Sequence, residues 1–86
     1  MIKIWAKIIK DNKIVKDYVF TADKKMDYSK FLEYLIDIAY NLDIPTPVLI
    51  KTHIFNYAKY NTVRFLPQDF VDTVDFDKLV LENINR

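Results

Sequence analysis

The chain has 86 residues, of which 51% are hydrophobic, and its 13 basic and 12 acidic residues leave a formal net charge of +1. This length and apolar content predict one folded domain, residues 1–86, and exclude a disordered chain. Cysteine and glycine are absent and His53 is the only histidine. This inventory excludes thiolate zinc sites and the phosphate-binding and nucleophile motifs that need glycine.

The same inventory predicts a protein that is not an enzyme, with no catalytic residue, cofactor or metal. No apolar stretch approaches the roughly 18 residues that a membrane-spanning helix needs, and lysines interrupt the apolar N-terminus, unlike a signal peptide. We therefore expect no membrane partner and a cytoplasmic location. Residue types with AT-rich codons (Phe, Tyr, Met, Ile, Asn and Lys) number 42, against 9 for Gly, Ala, Arg and Pro, which indicates an AT-rich, bacterial genome.

Residues 2–9 and 14–21 are predicted to form a β-hairpin. Both segments are rich in β-branched and aromatic residues, and Asp11-Asn12 between them suits the positive-φ positions of a type I′ turn. Because a two-residue turn fixes the register of the strands, Val15 is expected opposite Ile8.

In that register, one face of the hairpin combines lysines with large aromatics: Lys3, Trp5, Lys7, Lys16, Tyr18 and Phe20. Single-stranded nucleic acid binds to such faces, because bases stack on aromatic rings while cations contact phosphates. The alternative is that Trp5 and Tyr18 form a stabilising cross-strand pair that a helix, a loop or a second subunit covers. We favour this second interpretation, because a net charge near zero is poor for binding phosphates.

Residues 28–41 are predicted to form a helix capped by Asp27. Apolar residues recur at helical spacing along its core-facing side: Phe31, Leu35, Ile38 and Leu42. Tyr34 on one flank, and Ile36 and Tyr40 on the other, widen the apolar arc beyond what a surface helix needs. We therefore expect this helix to contact more than one surface.

Thr46-Pro47 indicates the start of a second helix over 47–59, and the β-branched residues at its beginning leave a strand over 47–52 as the alternative. The remaining predicted elements are a strand over 62–66, a short helical turn over 67–71 and a strand over 78–84. Together these elements predict an α+β fold. An antiparallel sheet of about four strands begins with the N-terminal hairpin, and the long helix and the shorter second helix pack on one face.

Two further features have the composition of a catalytic or metal site. His53 lies in a segment without a carboxylate, so it lacks the acid that orients a general base, and a half-buried structural role is expected. Four aspartates lie near the C-terminus: Asp69, Asp72, Asp75 and Asp77. They have neither the order nor the glycine of a calcium-binding EF-hand, so helix capping and solvation are the expected roles.

The second half contains the motifs Ile44-Pro45-Thr46-Pro47 and Val74-Asp75-Phe76-Asp77-Lys78-Leu79. On these motifs it resembles a family of short uncharacterised bacterial proteins of unknown function. In that family a helix marked by prolines, a strand, and a V-D-F-D-x-L motif that begins another strand follow one another. The resemblance implies no activity and no functional residue.

We expect an interaction module that self-associates as a homodimer. A small domain without disulfides has a marginal core, which burial between subunits supplements. Residues 1–30 contain eight lysines and four aspartates, whereas residues 61–86 contain three basic and five acidic residues, so the two regions attract each other within or between copies. The expected contact residues are the six of the hairpin face and Tyr34, Ile36 and Tyr40. The alternative function is single-stranded nucleic-acid binding by the hairpin face.

Overall fold

Four antiparallel strands form one sheet, in the order β2-β1-β4-β3. The computed structural model describes residues 1–85. The strands are β1 (Ile2–Lys10), β2 (Lys13–Ala22), β3 (Thr62–Phe65) and β4 (Lys78–Asn83), and the helices are α1 (Phe31–Leu42) and α2 (Lys51–Tyr60). Single 3-10 turns precede α1 (Tyr28–Lys30) and follow β3 (Pro67–Asp69). The predicted α+β fold, with its N-terminal hairpin and two helices, is confirmed.

Aspartate and asparagine occupy every left-handed backbone position among the described residues. The φ angles are 53° at Asp11, 63° at Asn12, 57° at Asp43 and 60° at Asn61. In a chain without glycine, these two residue types adopt positive φ with the least strain. Asp11 and Asn12 form the predicted hairpin turn, whereas Asp43 and Asn61 end α1 and α2.

A β-bulge in β2 changes the register of the hairpin. Pairing is regular next to the turn, where Ile9 lies opposite Ile14, but Ile8 then pairs with Lys16. Val15 is therefore an extra residue in β2, and the prediction that it lies opposite Ile8 is wrong.

The bulge divides the predicted hairpin face between the two sides of the sheet. Three of its residues lie on the side away from the helices: Lys3, Trp5 and Lys7. The other three lie on the side that the helices cover: Lys16, Tyr18 and Phe20. The physical reason is Asp17, because the uniform register would place this carboxylate beneath the helices and leave two aromatic rings in water. The bulge reverses both placements.

The start and the core side of α1 agree with the sequence. Asp27 Oδ1 accepts a hydrogen bond from the Ser29 backbone N–H at 3.0 Å, capping the 3-10 turn that leads into the helix. The predicted core row is at most 2% exposed: Phe31, Leu35, Ile38 and Leu42. Tyr34 is only 4% exposed, so it belongs to the core and does not offer the exposed contact surface that was expected of it. Its ring contacts those of Phe20 and Phe31 within the core.

α2 begins later than its sequence predicts, at Lys51. The segment before it has no regular secondary structure, so the predicted first turn and the alternative strand over 47–52 are both absent. A backbone hydrogen bond of 2.8 Å from Val48 N–H to Asp69 O holds this segment against the second 3-10 turn. A contact between residues distant in sequence thus holds the segment in which a proline-based rule places the first turn of the helix.

Both helices pack on one face of the sheet and leave the other face open. α1 contacts β2, whereas α2 contacts β3 and β4. Beneath the helices lie the buried side chains of the two central strands: Ile2, Ile4, Ala6, Ile8, Leu79 and Leu81. The alternate residues of β1, from Lys3 to Ile9, are exposed or half-buried. The domain therefore has two broad surfaces, the open sheet face and the outer side of the helix layer.

Candidate interaction surfaces

Trp5 and Lys7, at the centre of the open sheet face, already have partners within the chain. Trp5 Nε1 donates a hydrogen bond to Asp17 Oδ2 at 2.9 Å, and Lys7 Nζ forms an ion pair with Glu82 Oε1 at 2.9 Å. The same ammonium lies 4.2 Å from the centroid of the Trp5 ring. The Lys7 ammonium therefore occupies ring surface on which a base would stack. The carboxylates of Asp17 and Glu82 lie where phosphates would approach. This face is therefore less suited to nucleic acid than the sequence predicted.

The three hairpin residues on the covered side attach α1 to the sheet. Lys16 Nζ donates a hydrogen bond to Leu42 O at 2.9 Å, at the end of α1 where free carbonyls favour a cation. The Tyr18 hydroxyl donates to Asp37 Oδ2 at 3.5 Å. Burial raises the pKa of Tyr18, and the negative charge of Asp37 raises that pKa further. These contacts give Lys16 and Tyr18 a role in positioning the helix.

The outer side of α1 and its preceding turn exposes a row of apolar residues spaced four apart, which we call the α1 row. Its members are Tyr28 (40% exposed), Leu32 (48%), Ile36 (49%) and Tyr40 (82%). Residues four apart lie on the same side of a helix, so the row is continuous along α1. Ile36 and Tyr40 were predicted as contact residues, and both are exposed. Tyr28 and Leu32 were missed, although the same spacing pointed to them.

α2 also exposes aromatic side chains, together with lysines. Phe55 is 60% exposed and Tyr60 is 57% exposed. Lys59 Nζ lies 5.6 Å from the ring centroid of Phe55 and 5.4 Å from that of Tyr60, so the cation and both rings share one surface. The outer side of the helix layer therefore has two aromatic patches, one on each helix.

His53 caps α2 and faces an aspartate from the following turn. Its Nδ1 accepts a hydrogen bond from Ile50 N–H at 3.1 Å, and its ring centroid lies 4.4 Å from that of Phe65. Its Nε2 lies 3.8 Å from Asp69 Oδ2, which is too long for a hydrogen bond. Asp69 Oδ2 itself accepts a hydrogen bond from Leu66 N–H at 2.7 Å. Both side chains thus cap helical turns and connect them.

This arrangement does not position His53 as a general base. Since Nδ1 accepts from the backbone, the proton of the neutral ring is on Nε2, and no nitrogen is left to take a proton from a substrate. An open groove of about 630 Å³ lies beside the ring, lined by polar residues that include Asn56, Arg64 and Gln68. The carboxylate that the sequence did not place near His53 is Asp69, which folding brings there from a distant segment.

The C-terminal aspartates are spread over separate structural roles. Asp77 Oδ2 accepts a hydrogen bond from Asp11 N–H at 2.9 Å, which fastens the hairpin turn to the loop before β4. Asp75 Oδ2 lies 3.9 Å from Lys10 Nζ. Within residues 1–85, no group of three or more histidine or carboxylate side chains is placed to hold a metal ion.

No protein-family model, curated protein or solved structure matches this chain. The resemblance to short bacterial proteins therefore stays a prediction. No helix within the described part of the chain is long and apolar enough to cross a bilayer.

Proposed function

We propose that this protein is a non-enzymatic interaction module that forms a homodimer through the outer side of its helix layer. The observation that carries this proposal is the α1 row, whose four large apolar side chains are 40% to 82% exposed. Contiguous apolar patches on small domains mark contact sites. Burying this one would also supplement the core of an 86-residue domain that has no disulfide.

The non-enzymatic part of the proposal is supported by the chemistry of the chain. Its single histidine uses Nδ1 to cap α2, and the absence of cysteine and glycine from the sequence removes most nucleophile and phosphate-binding motifs. A bacterial setting fits the same composition, in which residue types with AT-rich codons dominate, and a cytoplasmic location is part of this proposal.

Sedimentation or light scattering over a range of concentrations tests this proposal. We expect the parent to dimerise at micromolar concentration. Replacing both Ile36 and Tyr40 with glutamine, which is a good helix former, should raise the dimer dissociation constant roughly tenfold or more. Val71→Gln is the matched control, because Val71 is 87% exposed but lies outside the α1 row, and this variant should dimerise like the parent.

Two outcomes contradict the proposal. One is a parent protein that remains monomeric up to about 1 mM, a concentration at which even weak specific pairs form. The other is an Ile36→Gln/Tyr40→Gln variant that keeps the circular dichroism spectrum and the full dimer affinity of the parent, because the contact would then lie elsewhere.

A further inference from the structure

The helix α1 carries side-chain charges of one sign, whereas the turn before it carries the exposed Lys30. Residues 31–42 contain two carboxylates, Glu33 and Asp37, and no lysine or arginine. Each follows directly after a member of the α1 row, so the acidic side chains form an edge along the apolar side chains. Neither forms an ion pair within the described residues. Glu33 is exposed, whereas Asp37 is half-buried and accepts the hydrogen bond from Tyr18. We call this combination of the α1 row with Glu33 and Asp37 the α1 face.

The exposed face of α2 carries the opposite sign. Residues 51–60 contain Lys51 and Lys59 and no carboxylate, and both lysines are exposed. Between and beside them lie Phe55 and Tyr60, each more than half exposed. We call these four residues the α2 face. Like the α1 face, it combines exposed apolar side chains with charged ones, but its charges are positive.

The two faces lie side by side in one layer of the domain. α1 packs over the edge strand β2, and α2 packs over the other edge strand, β3. Between the sheet edges the helices meet at Phe31 and Tyr57, whose ring centroids are 5.1 Å apart. Since each helix buries one side against the sheet, both faces are on the solvent side of the layer.

We propose that the α1 face of one copy binds the α2 face of a second copy, and that a two-fold axis makes the contact reciprocal. This inference rests on the proposed self-association and names its geometry. A two-fold axis in the contact plane, running between the helices, places α1 of each copy over α2 of the other, so one operation forms both contacts. Each contact joins apolar side chains and sets carboxylates against ammonium groups.

Charge complementarity favours this arrangement over contact between identical helices. With α1 on α1, Glu33 and Asp37 of both copies would come together, and with α2 on α2 the lysines would. Like charges brought together at an interface oppose binding. The reciprocal arrangement sets the carboxylates of α1 against the lysines of α2 at both contacts.

Two charge-reversal variants test the reciprocal contact. The first is Glu33→Lys, and the second is the double substitution Lys51→Glu/Lys59→Glu. In the Glu33→Lys homodimer the introduced ammonium faces Lys51 and Lys59, and only Asp37 still attracts them. In the other homodimer carboxylates face carboxylates. Each variant should therefore bind itself roughly tenfold or more weakly than the parent does. In an equimolar mixture one contact of the heterodimer is the parent contact, and at the other the ammonium introduced by Glu33→Lys faces the carboxylates introduced by Lys51→Glu/Lys59→Glu. The heterodimer should therefore form more tightly than either variant binds itself. The matched control is Lys3→Glu/Lys13→Glu. It also replaces two lysines with glutamates, but these lysines lie on the hairpin, so this variant should dimerise like the parent.

The outcomes separate this inference from the proposed function. If the parent dimerises and the mixture recovers no affinity, or if the Lys51→Glu/Lys59→Glu variant dimerises like the parent, the reciprocal contact is wrong while self-association stands. A parent that is monomeric up to about 1 mM ends both. A monomeric parent that binds a labelled single-stranded oligonucleotide, with binding lost in the Lys51→Glu/Lys59→Glu variant, assigns the α2 face to nucleic acid and overturns the inference.

Discussion

The core contains an aromatic side chain whose polar atom is buried with no hydrogen-bond partner among the described residues. Tyr57 is 1% exposed, its ring contacts Phe31, and its hydroxyl makes no hydrogen bond to residues 1–85. Burial raises the pKa of Tyr57, and the neighbouring Tyr28 raises that pKa further. A buried hydroxyl without a partner contributes little to stability, because its lost hydration is not replaced.

We therefore predict that Tyr57→Phe keeps or raises the free energy of unfolding at pH 7, by up to about 1 kcal/mol. The sign with pH follows from the raised pKa. Above the ordinary tyrosine pKa of about 10, the unfolded chain releases this proton while the folded chain retains it, so stability falls as pH rises. Tyr57→Phe should lessen that fall. Urea unfolding at neutral and alkaline pH measures both effects.

The control for this substitution is Tyr60→Phe, because Tyr60 is more than half exposed and its change should alter neither quantity. If Tyr57→Phe instead lowers the free energy of unfolding by about 2 kcal/mol or more, the hydroxyl makes a hydrogen bond in solution and its assignment as unpartnered is wrong.

At the level of secondary structure, the hairpin shows how a bulge selects the core. The extra residue Val15 lies in β2 between Ile14 and Lys16, while β1 is continuous. Beyond this point the aromatic side chains of β2 face α1, and Asp17 reaches Trp5 on the open face. One residue thus decides which side of the strand is buried.

Deleting Val15 tests this register. The deletion removes the bulge and leaves every other observed strand pair intact, so we predict a folded protein that loses about 1–2 kcal/mol at most, within the range of ordinary single changes. The control is deletion of Val19, which turns Phe20 out of the core and should lower stability by several kcal/mol. In the uniform register, deletion of Val15 would be the disruptive change. Urea unfolding of both variants therefore distinguishes the two registers.

Elements with local signals were predictable from the sequence, whereas those set by distant contacts were not. The hairpin turn and α1 depend on neighbours in sequence, namely Asp11-Asn12 and the cap at Asp27. The bulge keeps Asp17 on the open face and turns Tyr18 and Phe20 toward α1, a placement that periodicity alone does not reveal. Likewise, the segment before α2 is held by the hydrogen bond from Val48 to Asp69, across a separation that no local rule covers.

The candidate contact residues were also predictable only where a local pattern identified them. Ile36 and Tyr40 were found because helical spacing places them opposite the core. Tyr34 was misplaced because an aromatic ring on the flank of a helix can turn inward, and here Phe20 provides the space for it. The surface of α2 was missed, because its two aromatic side chains were assigned to no face until the helix boundaries were known.

At the scale of the whole molecule, the sheet separates its two candidate surfaces. Trp5 lies on the open sheet face, whereas the α1 and α2 faces lie beyond the helices on the other side. The chain has one tryptophan, so its fluorescence reports on the open sheet face alone, and tyrosine fluorescence and chemical modification report on the helix layer. This separation allows one titration to distinguish dimerisation from nucleic-acid binding by the predicted hairpin face.

We predict that Trp5 emission stays constant as the protein concentration rises through the dimerisation range, because contact through the helix layer leaves the open sheet face in water. Over the same range Tyr40, which is 82% exposed in one copy, should become protected from chemical modification.

Added single-stranded oligonucleotide should leave Trp5 emission unchanged, since Lys7 already covers part of its ring and is paired with Glu82. Quenching by oligonucleotide that added salt reverses would establish the alternative function, because release of counterions makes phosphate binding salt-dependent. A change in Trp5 emission on dimerisation alone would instead place the subunit contact on the sheet.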